Sequence, residues 1–160
     1  MKIRSGFVSN SSSSSFVVAF PSTPTSVEDV HAMMFPEGPS GVSPFGHRVP
    51  SSQIAKTVWG DIERQDAPLT KEQIADEVEV RVPWPRNIWQ LEGEQREAAW
   101  KKYEEDSKTA SAKRTVEFLE EAGDSIVYRF SYSDSDGDYF TVLEHGDIFS
   151  SLPNHRSSHH

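Results

Sequence analysis

The longest uninterrupted apolar run in this chain, Phe16-Val17-Val18-Ala19-Phe20, is five residues long. A membrane-spanning helix needs about 18 or more such residues, so the sequence predicts none. The run is also too short for the apolar region of a secretion signal, although Lys2 and Arg4 precede it, and no secretion is expected. Five apolar residues stopped by Pro21 and Pro24 read as a buried strand. The remaining apolar material, within a chain that is 35% hydrophobic, suffices for one modest core, and 160 residues is the size of a single domain.

The other elements follow from periodicity and punctuation. Thr25 and Glu28 have capping-box spacing ahead of a helix over about 26–35. Four prolines and three glycines make 36–50 a loop. A second helix after Pro50 carries Ile54, Val58 and Ile62 at four-residue spacing, and Thr70 to Gln73 opens a third, short one. Val78, Val80 and Val82 alternate with Glu79 and Arg81, the period of a strand over 78–82. A long helical pattern runs from about 92 to 122 and stops at Gly123, with a polar middle that predicts exposure or a break near Ser107. Two strands, 126–132 and 139–144, joined through Asp136-Gly137, read as a hairpin. The expected fold is α+β: an antiparallel sheet of 16–20, 78–82, 126–132 and 139–144, with helices on one side.

Charge narrows the function. Sixteen Lys and Arg against 25 Asp and Glu give −9, which counts against a nucleic-acid footprint. Seven acids fall within 61–80, and Asp134, Asp136, Asp138, Glu144 and Asp147 form a second group suited to a basic partner surface. With no cysteine, disulfides, thiolate metal sites and cysteine nucleophiles drop out.

Three groups of residues invite a chemical reading. The serine run with its basic neighbours, Lys2, Arg4, Ser11, Ser12 and Ser13, could cradle an anion, but no P-loop pattern accompanies it. His145, Asp147, His155 and His159 supply the donor types of a metal site, without the spacing of a helical zinc motif. Asp134 to Asp138 fails as a calcium loop, because Tyr132 and Leu143 would occupy its end ligand positions. Glu144 and Asp147 are an acid/base pair whose separation the sequence does not fix, and no nucleophile elbow is present. The third group is aromatic. Trp84 between Pro83 and Pro85, with Arg86 and Trp89 following and Glu77 and Glu79 ahead, has the composition of an interface hot spot.

The N-terminal run Lys2-Ile3-Arg4-Ser5-Gly6-Phe7-Val8-Ser9-Asn10 through Phe16 resembles a signature at the start of many uncharacterised bacteriophage and bacterial proteins. The tail, Leu143-Glu144-His145-Gly146-Asp147 with Phe149, Leu152-Pro153, Arg156 and His159-His160, is similar to one group of them. The resemblance implies a phage or prophage origin and attaches no activity. It also suggests that the two ends meet, with the first strand pairing beside the C-terminal hairpin and the serines near His145 and the terminal histidines.

The expectation is therefore a phage-type accessory protein of the bacterial host cytoplasm that binds a host or phage protein, needs no cofactor, and inhibits a host enzyme or defence factor. The alternative is a small metal-dependent hydrolase or nucleotide-binding protein using the serines and the C-terminal His/Asp residues. A virion component is the third. The first needs an exposed aromatic or acidic patch, and the second needs convergent polar groups in one pocket.

Overall fold

The computed structural model describes residues 12–46 and 48–159. Its strands are β1 (Ser13–Phe20), β2 (Gly41–Val42), β3 (Val49–Pro50), β4 (Ile126–Ser133) and β5 (Asn154–His159). Its helices are α1 (Val27–Met34), α2 (Ser51–Glu63), α3 (Lys71–Glu77), α4 (Gly93–Ala122) and α5 (Asp138–His145). The fold is α+β, as expected. β1 is the central strand of an antiparallel sheet ordered β4-β1-β5, and β2 and β3 form a separate pair inside the 36–50 loop.

The apolar run of β1 is continuous because helices cover both faces of this sheet. This corrects the one-sided packing read from sequence. Phe16, Val18 and Phe20 face a core shared with Tyr128, Phe130, Val30, Ile54, Val58 and Leu143. Val17 and Ala19 face a smaller core of Ile74, Val78, Phe118, Ala122 and Val127. Alternate residues of a strand point to opposite faces, so a strand buried on both sides is apolar throughout.

Two expected strands are absent from the sheet. Residues 139–144 lie in α5, because the Asp-Gly pair builds no hairpin. Asp134–Asp136 form a single 3-10 turn, and Gly137, at φ 117°, starts α5 in a conformation that favours glycine. Tyr139, Val142 and Leu143 then share one helical face toward the larger core. The third strand is instead the polar tail Asn154–His159, paired to β1 from Ser13↔His159 to Val18↔Asn154.

Residues 78–82 are extended but join no strand. Their backbone is satisfied by side chains: Val80 N–H donates to Ser111 Oγ at 2.8 Å, and Ser111 Oγ donates back to Val80 O at 3.3 Å. Val82 N–H donates to Ser107 Oγ at 3.4 Å. The polar middle of the long helical pattern is therefore not a break. α4 runs unbroken for 30 residues, about 45 Å, and its small serines dock this strap. Capping follows the sequence at α3, where Thr70 and Gln73 form a complete capping box, and shifts by one at α1, where Ser26 rather than Thr25 accepts from Asp29 N–H. The outer edge of β4 is blocked at Arg129, whose N–H and C=O both pair with the Gln65 side-chain amide. No helix among the described residues is long and apolar enough to cross a membrane.

On the other side of the strap, His155 Nε2–H donates to Glu79 O at 3.0 Å, while its Nδ1 accepts from Arg114 Nε at 3.4 Å. Burial lowers the His155 pKa from the ordinary 6.5; the Glu79 carbonyl works against that shift and Arg114 adds to it. The folded state thus holds fewer protons than the unfolded chain below pH 6.5. Stability contributed here is complete above that pH and is lost as pH falls toward the lowered value. Denaturant unfolding at pH 7.5 and 5.5 is expected to show wild type losing stability over this interval, and His155→Gln losing less. An equal loss in both proteins would place the effect elsewhere.

Candidate functional site

Two constellations answer to the sequence readings: one is polar and buried, the other aromatic and exposed.

The polar one forms where the start of β1 meets α5 and β5. β1 brings Ser14 and the preceding Ser12 beside α5 and β5; the expected meeting with the C-terminal segment is present, but through β5 and a helix rather than through a hairpin. Glu144 is fully buried at its centre. Its Oε1 accepts from Ser14 Oγ at 3.1 Å, and its Oε2 accepts from Asp134 N–H at 3.0 Å and stands 3.3 Å from His145 Nε2. Arg156 donates from Nε and Nη2 to Ser14 Oγ at 3.0 and 2.9 Å. Ser12 N–H donates to Asp134 Oδ1 at 2.9 Å, and Ser12 Oγ lies 2.8 Å from Asp134 Oδ2 and 3.4 Å from His145 Nε2. Phe45 sets its ring across the His145 imidazole, with 5.5 Å between centroids.

Proton positions decide what this cluster can do. Arg156 Nη2 lies 3.4 Å from His145 Nδ1, and a guanidinium only donates. Nδ1 is therefore the acceptor, and Nε2 is the nitrogen that donates, facing Ser12 and Glu144. A Ser–His–carboxylate relay needs the reverse, with the histidine's far nitrogen donating to the carboxylate. Asp134, Glu144 and His145 do each present one donor atom within 4.8 Å of the others. A metal on Nε2, however, requires that nitrogen bare and Nδ1–H pointed at an acceptor, where this structure has Arg156. The arrangement is a hydrogen-bonded clasp joining β1, the 134–136 turn, α5 and β5.

The sequence-derived metal set is not gathered. His145 lies on the Glu144 side of the sheet; His155 and His159 pair with Val17 and Ser13, on the opposite face. Asp147 is an exposed turn residue with φ 55°. Of the proposed anion cradle, Lys2, Arg4 and Ser11 lie outside the described residues. Ser13 is in β1, and the Ser12 N–H is committed to the Asp134 carboxylate. Glu144 pairs with Asp134 and His145 rather than with Asp147 as weighed from sequence.

The aromatic constellation is built on the strap and the N-terminal part of α4. Pro83 and Pro85 keep Trp84 in extended backbone, and Ile88, 2% exposed, anchors the turn that follows. Trp84 then packs at 6.2 Å on Trp89, at 4.9 Å edge-on to Trp100 and at 4.7 Å edge-on to Tyr103. Burial is incomplete: Trp84 is 40% exposed, Trp100 43% and Trp89 74%. A groove of about 310 Å³ lies between Trp89 and Trp100, lined also by Ile88, Gly93, Arg96 and Glu97. Arg86 is exposed on the turn. Glu77 accepts from Arg129 and Glu79 from Arg81, so these two carboxylates are engaged outside the indole stack. The sequence reading missed Trp100 and Tyr103, whose three-residue spacing on one helix face next to a Pro-Trp-Pro segment was the available signal.

No known protein family matches the chain. No curated protein and no solved structure matches it either.

Proposed function

We propose that this chain is a protein-interaction module whose contact surface is the Trp84/Trp89/Trp100/Tyr103 patch. The observation that carries the reading is the exposure of three interlocked tryptophans, the residue type that most often dominates binding energy, around an open groove. The polar cluster, by contrast, has its central Glu144 carboxylate fully buried, out of reach of a substrate. The resemblance of the chain ends supports a phage-type setting. In that setting the partner is a protein of the bacterial cytoplasm, and inhibition of a host enzyme or defence factor is the outcome we favour.

Affinity capture from bacterial lysate tests the reading. Wild type is expected to retain a stoichiometric protein, and Trp84→Ala/Trp89→Ala to lose it, at about 2 kcal/mol or roughly thirty-fold per hot-spot tryptophan. Val116→Ala, which trims another exposed apolar side chain of α4, should retain it. Trp89→Ala alone, at the most exposed of the three indoles, should also weaken capture while its thermal melt matches wild type, so that lost capture reports contact and not unfolding. Equal capture by the tryptophan variant would overturn the proposal. So would a nucleotide or metal that copurifies and disappears in His145→Ala.

A further inference from the structure

We propose that the groove between Trp89 and Trp100 receives a lysine or arginine side chain from a basic segment of the protein partner. This rests on the interaction reading above and adds the chemistry of the bound segment.

The groove joins three features that favour a cation on an aliphatic stem. Its floor, from Ile88 and Gly93, is apolar, and its volume of about 310 Å³ suits one long side chain better than a folded surface. Its walls are indoles, whose faces carry the negative lobe of the ring quadrupole. Its lip bears the exposed Glu97 carboxylate, one turn before Trp100. One turn beyond, Glu104 accepts from Trp100 Nε1 at 2.9 Å and holds the indole plane, so carboxylates stand on both sides of Trp100 along the helix.

The protein's own cations leave these faces open. Arg96 lines the groove, but its Nη2 donates to Trp89 O at 3.4 Å. Among the described residues, the cation stacked on a ring is Arg156 over Phe16, which is outside the patch. A second copy of this chain is a poor occupant, since two bodies each of net charge −9 repel one another. That net charge also repels nucleic acid.

The probe is fluorescein-labelled hexa-arginine, with hexa-citrulline as its uncharged, nearly isosteric control, titrated against the full chain by fluorescence anisotropy at 0.15 M NaCl. Hexa-arginine is expected to bind and hexa-citrulline to bind at least about five-fold more weakly. Trp89→Ala and Trp100→Ala, which change no charge, should each weaken hexa-arginine by about three- to ten-fold. Glu97→Gln should act similarly, while Glu120→Gln, the same charge change at an exposed position farther along α4, should have less than about two-fold effect. Binding that ignores Trp89→Ala and Trp100→Ala, or that responds equally to Glu97→Gln and Glu120→Gln, would reduce the contact to non-specific charge and sink this proposal. If lysate capture still depends on Trp89 while hexa-arginine binding does not, the interaction reading stands and only the cation pocket falls.

Discussion

Phe118→Ala is expected to lower the free energy of unfolding by about 3–5 kcal/mol, measured by urea or guanidinium denaturation. α4 is 30 residues long, yet its buried side chains are Thr115, Phe118 and Ala122, all in its last third. Phe118 is the only large one and is fully buried against Val17, Ala19, Ile74, Val78 and Val127. Its removal leaves a cavity between α4 and the second face of the sheet, with α3 on the far wall. The loss should exceed that of Val116→Ala, a neighbour on the same helix that is 56% exposed and should change stability by no more than about 0.5 kcal/mol. Because Ser107 and Ser111 of α4 hold the strap, loosening α4 should also raise hydrogen exchange at the Val80 and Val82 amides. A Phe118→Ala protein as stable as wild type would mean that the smaller core contributes little and that the sheet rests on its other face alone.

What the sequence discloses of this fold tracks where hydrophobic side chains supply the signal. β1 and β4 are legible because their apolar residues are dense, α3 because its capping box forms as spaced, and α2 because Ile54, Val58 and Ile62 recur every four residues although no side chain caps it. β5 is not, since Asn154-His155-Arg156-Ser157-Ser158-His159 has no apolar residue; it is a strand because β1 offers it a free edge. The reverse error occurs at 78–82, where a clean two-residue period finds no strand to pair with and takes serine hydroxyls instead. Tyr139 to Leu143 favours strand by residue type, and only the glycine conformation at 137 and the helical face of Tyr139, Val142 and Leu143 reveal α5. The candidate sites divide in the same way. Trp84 and Trp89 are visible as a rigid local motif, whereas Trp100 and Tyr103 reach them only through the tertiary docking of the strap. The histidines that looked like one ligand set are divided because α5 holds His145 on the Glu144 side of the sheet while the pleat of β5 turns both His155 and His159 to the other face, a division that linear spacing does not encode.

Glu144→Ala is expected to be the most damaging change outside the apolar cores, at about 3 kcal/mol. The carboxylate is fully buried, and its two oxygens accept from Ser14 Oγ and from the Asp134 N–H, with Ser12 Oγ also 3.1 Å from Oε2. Removing it takes the carboxylate acceptor from the buried Ser14 Oγ, leaves the Asp134 N–H with Ser12 O and Ser12 Oγ with Asp134 Oδ2, and leaves Arg156 facing a serine that has lost that acceptor. Glu144→Gln separates charge and hydrogen bonding from volume. The amide keeps the shape but turns an NH2 toward either Ser14 or Asp134 N–H, so it should lie between wild type and Ala, at about 2 kcal/mol. His145→Phe should cost less than Glu144→Ala, because His145 sits at the margin of the clasp, is partly exposed and contributes no central acceptor. The ordering Ala, then Gln, then wild type in denaturant midpoint is the signature of a buried acceptor that binds the start of β1 to α5. If Glu144→Gln were instead more stable than wild type, the buried carboxylate would be a cost the fold tolerates for something other than structure. The clasp would then have to be examined as a site in its own right, beginning with what binds beside Asp134 and His145.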